Sequence, residues 1–232
     1  ILKTTKNGRP VVLRGGSPAG PGGLYSGPGV SQAGAQLWTF DPADPAVNAS
    51  AGGTSNTLLY RYTNTEGCSA EQSVVIQVFP SNAGDPCPGS VTDHRDGKLY
   101  ETTLQGAGAS ARCWLAQNLN YGSLITLPAL QTDNCTPEKY CPQNLESLCD
   151  AQGGYYQWPE VMAYTTDPGY QDICPPGWHL PTADEWNLLI NQNQGPGIAG
   201  GVLKDLNIPG GFAGPLNGIL YANAFWAFRS PP

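Results

Sequence analysis

The chain has 232 residues, enough for one large domain or two ordinary ones, each able to bury its own core. Charged residues make up only 12%, while 30 Gly, 22 Pro and 9% aromatics point to short strands and long ordered loops. A formal net charge of −7 excludes nucleic acid, whose phosphates need a basic face, and no apolar run reaches the roughly 18 residues that direct membrane insertion requires.

The first third reads as strands between turns. In Ser73 to Phe79, Val74, Ile76 and Val78 share one face, opposite Ser73 and Gln77. Leu58, Tyr60 and Tyr62 alternate in the same way with Leu59 and Arg61. Shorter apolar runs at Pro10 to Leu13, Leu24 to Tyr25 and Gln36 to Phe40 lie between Gly- and Pro-rich turns. With no helical period here, an antiparallel sandwich is expected for residues 1–80. SNAGDPCPG follows as a turn-rich stretch, with the linker placed at 81–86 and a second domain at 87–232.

Beyond the linker, tryptophans and cysteines become frequent. In LPTADEW, Thr182 precedes Glu185 by three residues, the spacing of a capping box, with Trp186 at the staple position and Leu189 and Ile190 continuing the apolar face. A second helix is expected through Asn144 to Gln152, and Tyr155 to Tyr164 reads equally as strand or helix. The start, ILKTTKNGRP, lacks the apolar core of a signal peptide, so the chain reads as a mature segment of something longer.

Seven cysteines stand at 68, 87, 113, 135, 141, 149 and 174. Zinc sites favour close Cys pairs with nearby histidines, whereas here five residues separate Cys135 from Cys141 and the histidines are His94 and His179. Disulfides therefore fit better, with Cys87, Cys113, Cys135, Cys141, Cys149 and Cys174 as candidates and an oxidising, extracellular compartment implied. No metal or cofactor is expected, except that Asp93 and Asp96 leave a calcium-binding loop open.

Two resemblances extend this reading. GGLYSGPGVSQAG at 22–34, TFDPA at 39–43 and LLYRYTNTEGCSAEQSVVIQVFP at 58–80 resemble the Ig-like repeats of large surface proteins from gliding and gut bacteria. Those repeats often carry an early cysteine, which this chain lacks, so Cys68 is expected to stay free or to pair outside residues 1–232. VTDHRDGKLY, RCWLAQNLNY, GGYYQWPEVM, CPPGWHLPTADEW and GGFAGPLNG, in that order, closely resemble the Fibrobacter succinogenes major paralogous domain, a module of secreted and surface proteins. The family's aromatic ending is absent, which implies truncation at the C-terminal end. The insert between Asn120 and Gly153 holds three cysteines, more than the pattern requires. GWHLPTADEW is also similar to a stretch of formylglycine-generating enzymes and other C-type-lectin-like folds. The implied fold class is an all-β Ig-like sandwich followed by an α+β C-type-lectin-like domain rich in loops.

Catalytic readings fare poorly. The formylglycine enzymes use cysteines downstream of this motif, and none follows Cys174; the tripeptides of calcium lectins are also missing. Asp184 and Glu185 point about 100° apart on a helix, and Glu185 is committed to the cap. His179 has no accompanying nucleophile and reads as a framework residue. Trp114, Trp158, Trp178 and Trp186 fall on the family's framework and are expected in the core. Tyr155, Tyr156 and Tyr170 are the candidate ligand surface, and Phe225, Trp226 and Phe228 lie near the end. The insert at 122–152 is the first place to look for a contact surface.

The expected function is thus a non-catalytic adhesion or ligand-display module at the bacterial cell surface, taking glycan or protein as its partner. A surface-filament subunit that contacts neighbouring copies of itself is the second reading. An enzyme on the formylglycine-generating-enzyme-like fold is the third.

Overall fold

The computed structural model describes residues 2–81, 87–167, 169–204, 219–221 and 224–226, and the chain divides into two compact units. One comprises residues 1–83 with 162–179, and the other 84–161 with 180–232. Residues 82–86 of the expected linker, the GGFAGPLNG stretch and Phe228 lie outside the described residues.

Among its described residues, the first unit contains seven strands: β1 (Leu2–Thr5), β2 (Val11–Val12), β3 (Gly23–Ser26), β4 (Val30–Gly34), β5 (Leu37–Phe40), β6 (Thr54–Thr63) and β7 (Ser69–Phe79). They form a four-stranded sheet in the order β1-β7-β6-β3 and a three-stranded sheet in the order β2-β5-β4. Every pairing is antiparallel except β1 with β7, which is parallel and departs from the wholly antiparallel expectation. Phe40 from one sheet and Leu58, Ile76 and Val78 from the other meet with Val47 in a single buried cluster.

Alternation explains that cluster, because a period of two sends Leu58, Ile76 and Val78 to one face. Val74 shares their parity yet is 43% exposed. Val74 pairs with the fully buried Leu58 on β6, but on its other side the pairing of β1 with β7 begins only at Leu2 with Ile76, so parity alone does not bury it. At the other end, Asp41 and Asp44 accept bonds from the amides of Ala43 and Ala46, folding the connection after β5 into successive turns. The Lys6 ammonium donates to the carbonyls of Asp44 and Val47, and buried Asn56 exchanges bonds with the Asn48 backbone, so this connection closes over the core.

Residues 162–179 cluster with this unit and not with the rest of 87–232, a division that a boundary drawn along the chain does not anticipate. Gln171 donates through its amide to Pro10 O at 2.9 Å and accepts from Arg9 N at 3.3 Å. Asp172, Ile173, Cys174 and Pro175 are buried, and Asp172 Oδ1 accepts from Cys174 N at 2.8 Å.

In the second unit, β8 (Ser90–Thr92), β9 (Leu99–Gln105) and β10 (Arg112–Leu115) make an antiparallel sheet in the order β10-β9-β8. β11 (Ser123–Leu124) and β12 (Glu138–Lys139) pair in parallel, followed by the helices α1 (Glu146–Gln152), α2 (Trp158–Val161), α3 (Ala183–Gln192) and α4 (Ala199–Lys204). A last antiparallel pair, β13 (Ile219–Tyr221) with β14 (Ala224–Trp226), carries Phe225 and Trp226. Val91, Tyr100, Trp114, Tyr140 and Leu189 are buried here.

The capping box forms: Thr182 Oγ1 accepts from Glu185 N, and Glu185 Oε2 accepts from Thr182 N at 2.9 Å. α1 begins two residues later than expected, because Gln143 and Asn144 take positive φ in the turn before it. The ambiguous 155–164 stretch divides, with Tyr155 bridging Tyr140 and one helical turn following. Gly153 ends α1 at φ +86, ψ 168, where a side chain would run into Asn118 Cβ.

Candidate ligand-binding surface

The insert at 122–152 is sewn onto the framework. Cys141 and Cys149 form a disulfide within it, and a second bridge joins Cys87 to Cys113 on β10. Of the six candidate cysteines, Cys135 and Cys174 do not take part. One is an exposed turn residue of the second unit, the other is buried in the first, and the four remaining partners are already matched. Cys68 is exposed at the β6–β7 turn, held by Asn64 Oδ1.

Two anchors fix the insert. At its base, Lys139 is almost wholly buried, and its ammonium donates to Glu146 Oε1 and to Asn120 Oδ1. Asn120 donates to Asp150 Oδ1 at 2.8 Å, and Asn118 donates to Gln152 O at 3.0 Å. At its tip, Gln131 donates to the carbonyls of Glu138 and Tyr155 and accepts from Gln157 N. Glu138 accepts from Thr132 N and Asn134 Nδ2, gathering the tip around one carboxylate.

The tyrosines here serve the framework. Tyr156 donates to Tyr121 O at 2.7 Å and accepts from Tyr121 N at 2.8 Å, and burial pushes its phenol far above the ordinary range. Burial likewise pushes Tyr100 up to about 12 and raises Tyr121, Tyr140 and Tyr155. Tyr155 and Tyr156 are half-buried in this unit, and Tyr170 is half-buried in the other.

Two of the tryptophans assigned to the core, Trp158 and Trp186, are exposed. Trp158 is 69% exposed at the start of α2. Leu130, 63% exposed, and Trp158 each adjoin one partner of the Gln131–Gln157 hydrogen bond, which fixes the insert tip beside the turn carrying the indole. The buried Glu160 two residues on accepts from Glu138 N at 2.9 Å, so α2 turns its acidic side inward, which the residue type alone does not signal. Trp114 is buried; Trp186 packs against it at a centroid distance of 5.3 Å but stays 49% exposed, because only one of its faces is covered, and Trp178 is half-buried in the first unit.

The acidic candidates have other work. Asp93 is fully buried, and its carboxylate receives Arg95 through Nε and Nη2, the latter at 2.7 Å, while that guanidinium lies 3.7 Å over the Tyr121 ring. A calcium ion at Asp93 would have to displace this pair, and Asp96 instead accepts from Lys98 N in the turn. Asp184 is exposed, Glu185 caps α3, and His179 is half-buried in the first unit. Among the described residues, no three His, Cys, Asp or Glu side chains gather as a metal-ligand set.

Two disulfides are compatible with an oxidising compartment, and no described helix is long and apolar enough to cross a membrane. No curated protein and no solved structure matches the chain. Residues 109–214 match the family model of the Fibrobacter succinogenes major domain, the family that the motif order in this part of the sequence resembles.

Proposed function

We propose that the chain is a non-catalytic extracellular module of a bacterial cell-surface protein that binds glycan or protein, with an Ig-like unit supporting a lectin-like head. The observation that carries this reading is the exposed Trp158 held beside the insert tip by the Gln131–Gln157 bond. A flat indole on a fixed backbone offers an apolar face with little ordering cost, which suits sugar C–H faces and protein side chains alike. The net charge of −7 favours neutral sugars or basic protein patches over anionic polymers.

The strand order supports the Ig-like part. Six strands of the β1-β7-β6-β3 and β2-β5-β4 sheets divide as in the constant-type Ig sandwich, the third, sixth and seventh opposing the second, fifth and fourth, while β1 departs from that type by pairing with β7. Surface location is supported by the two bridges together with the family match. Arrays of immobilised glycans and host surface proteins, probed with the 232-residue chain and with Leu130→Asp, test the binding assignment. Binding to a defined class that the substitution weakens supports it; turnover of a glycan without retention contradicts it.

A further inference from the structure

The anchor at the base of the insert places an amine, a carboxamide and two carboxylates together. Lys139 Nζ lies 2.5 Å from Asn120 Oδ1 and 2.5 Å from Glu146 Oε1, with 1% of the lysine side chain exposed. Asn120, 5% exposed, turns its Nδ2 to Asp150 Oδ1 at 2.8 Å. One carboxylate therefore touches the amine, and a second touches the nitrogen of the amide that the amine faces. Asn120 Cγ is one carbonyl bond from Oδ1, about 1.23 Å, so it lies no more than about 3.7 Å from Nζ, close to the near-attack range of about 3–3.5 Å. Lys98 donates to Asn120 O at 2.8 Å and lies 3.4 Å from Asp150 Oδ1, which steadies both.

We propose that Lys139 and Asn120 join in an intramolecular isopeptide bond. Glu146 accepts a proton from the Lys139 ammonium, and the freed amine attacks Asn120 Cγ, pushing the carbonyl electrons onto Oδ1. The second amine proton passes to Nδ2, the Cγ–Nδ2 bond breaks as the carbonyl re-forms, and the nitrogen departs as ammonia past Asp150. Ammonia then takes the proton held on Glu146 and leaves as ammonium. One ammonium and one carboxamide become one secondary amide and one ammonium, with no oxidant, cofactor or water consumed. Burial keeps competing water away from the carbonyl carbon. The product closes the chain between residues 120 and 139, locking the insert to the framework beside the Cys141–Cys149 bridge.

Intact-mass measurement of the 232-residue chain, denatured and with disulfides reduced, tests the proposal. The expected mass is one ammonia below that of the sequence, and digestion yields a branched peptide containing both Asn120 and Lys139. Asn120→Asp keeps the geometry and is expected to lose water in place of ammonia. Glu146→Ala slows the accumulation of linked protein by about a hundredfold, in line with loss of a general base. A mass equal to that of the sequence, or an ammonia loss without the branched peptide, overturns the bond. An unchanged rate in Glu146→Ala overturns the role given to that carboxylate.

Discussion

Replacing both Cys141 and Cys149 with alanine perturbs the insert at its most buried point. The bridge closes a loop with a sequence separation of 8. By restricting the unfolded chain, a loop of that length contributes about 2.5 kcal/mol. Cys149 is fully buried and Cys141 nearly so, and removing both sulfurs leaves a void that costs about 1 kcal/mol more. The expected loss is therefore about 3.5 kcal/mol, a large share of the roughly 5–15 kcal/mol that holds an ordinary domain together. Urea titration followed by tryptophan fluorescence and far-ultraviolet circular dichroism measures it, with coincident transitions as the check that two-state treatment applies. A loss near the void contribution alone, about 1 kcal/mol, would refute the claim that the insert folds with the framework as one cooperative body.

Three further outcomes are expected. Gly153→Ala forces a side chain into a backbone conformation reserved for glycine and against Asn118, and should cost about 3 kcal/mol in the same titration. Thr4 is buried, and its hydroxyl has no hydrogen-bond partner among the described residues, so Thr4→Val should raise stability by about 1 kcal/mol. Tyr100 is raised from 10.0 to about 12 chiefly by burial, so the folded state holds its proton more tightly. Its contribution is whole below pH 10 and is lost as pH rises toward 12, which predicts a falling unfolding midpoint in that window alongside a late phase of phenolate absorbance. A single tyrosine phase near pH 10 with the fold intact would contradict this.

What the sequence made legible were features decided by neighbours a few residues away. Thr182 and Glu185 cap α3 because both partners lie within one turn, and Leu58, Ile76 and Val78 reach the core because period two settles their side. Val74 obeys the same period and stays exposed, since burial also depends on flanking strands, and β1 reaches β7 only from Ile76 onward, which alternation cannot reveal. Cysteine pairing depends on which turns meet: Cys141 with Cys149 is short-range, but whether Cys135 is exposed and Cys174 buried is decided by folding that spacing does not reveal. Trp158 looked like a core residue because its motif is framework; the buried Glu160 on the same single turn decides otherwise. The Lys139–Asn120 contact joins residues 19 apart across an insert with no periodic signal, so only the fold could bring it into view.

The binding surface is tested most directly by the dissociation constant of the wild-type chain and of Trp158→Ala, measured by surface plasmon resonance against the glycan or protein class retained on the arrays. The indole is 69% exposed, so its removal should leave the urea midpoint unchanged while weakening binding by about tenfold or more, equivalent to about 1.4 kcal/mol. Equal affinity in the two proteins would contradict the placement of the ligand at Trp158, and the absence of binding to any class together with measurable chemical turnover would contradict the binding function itself.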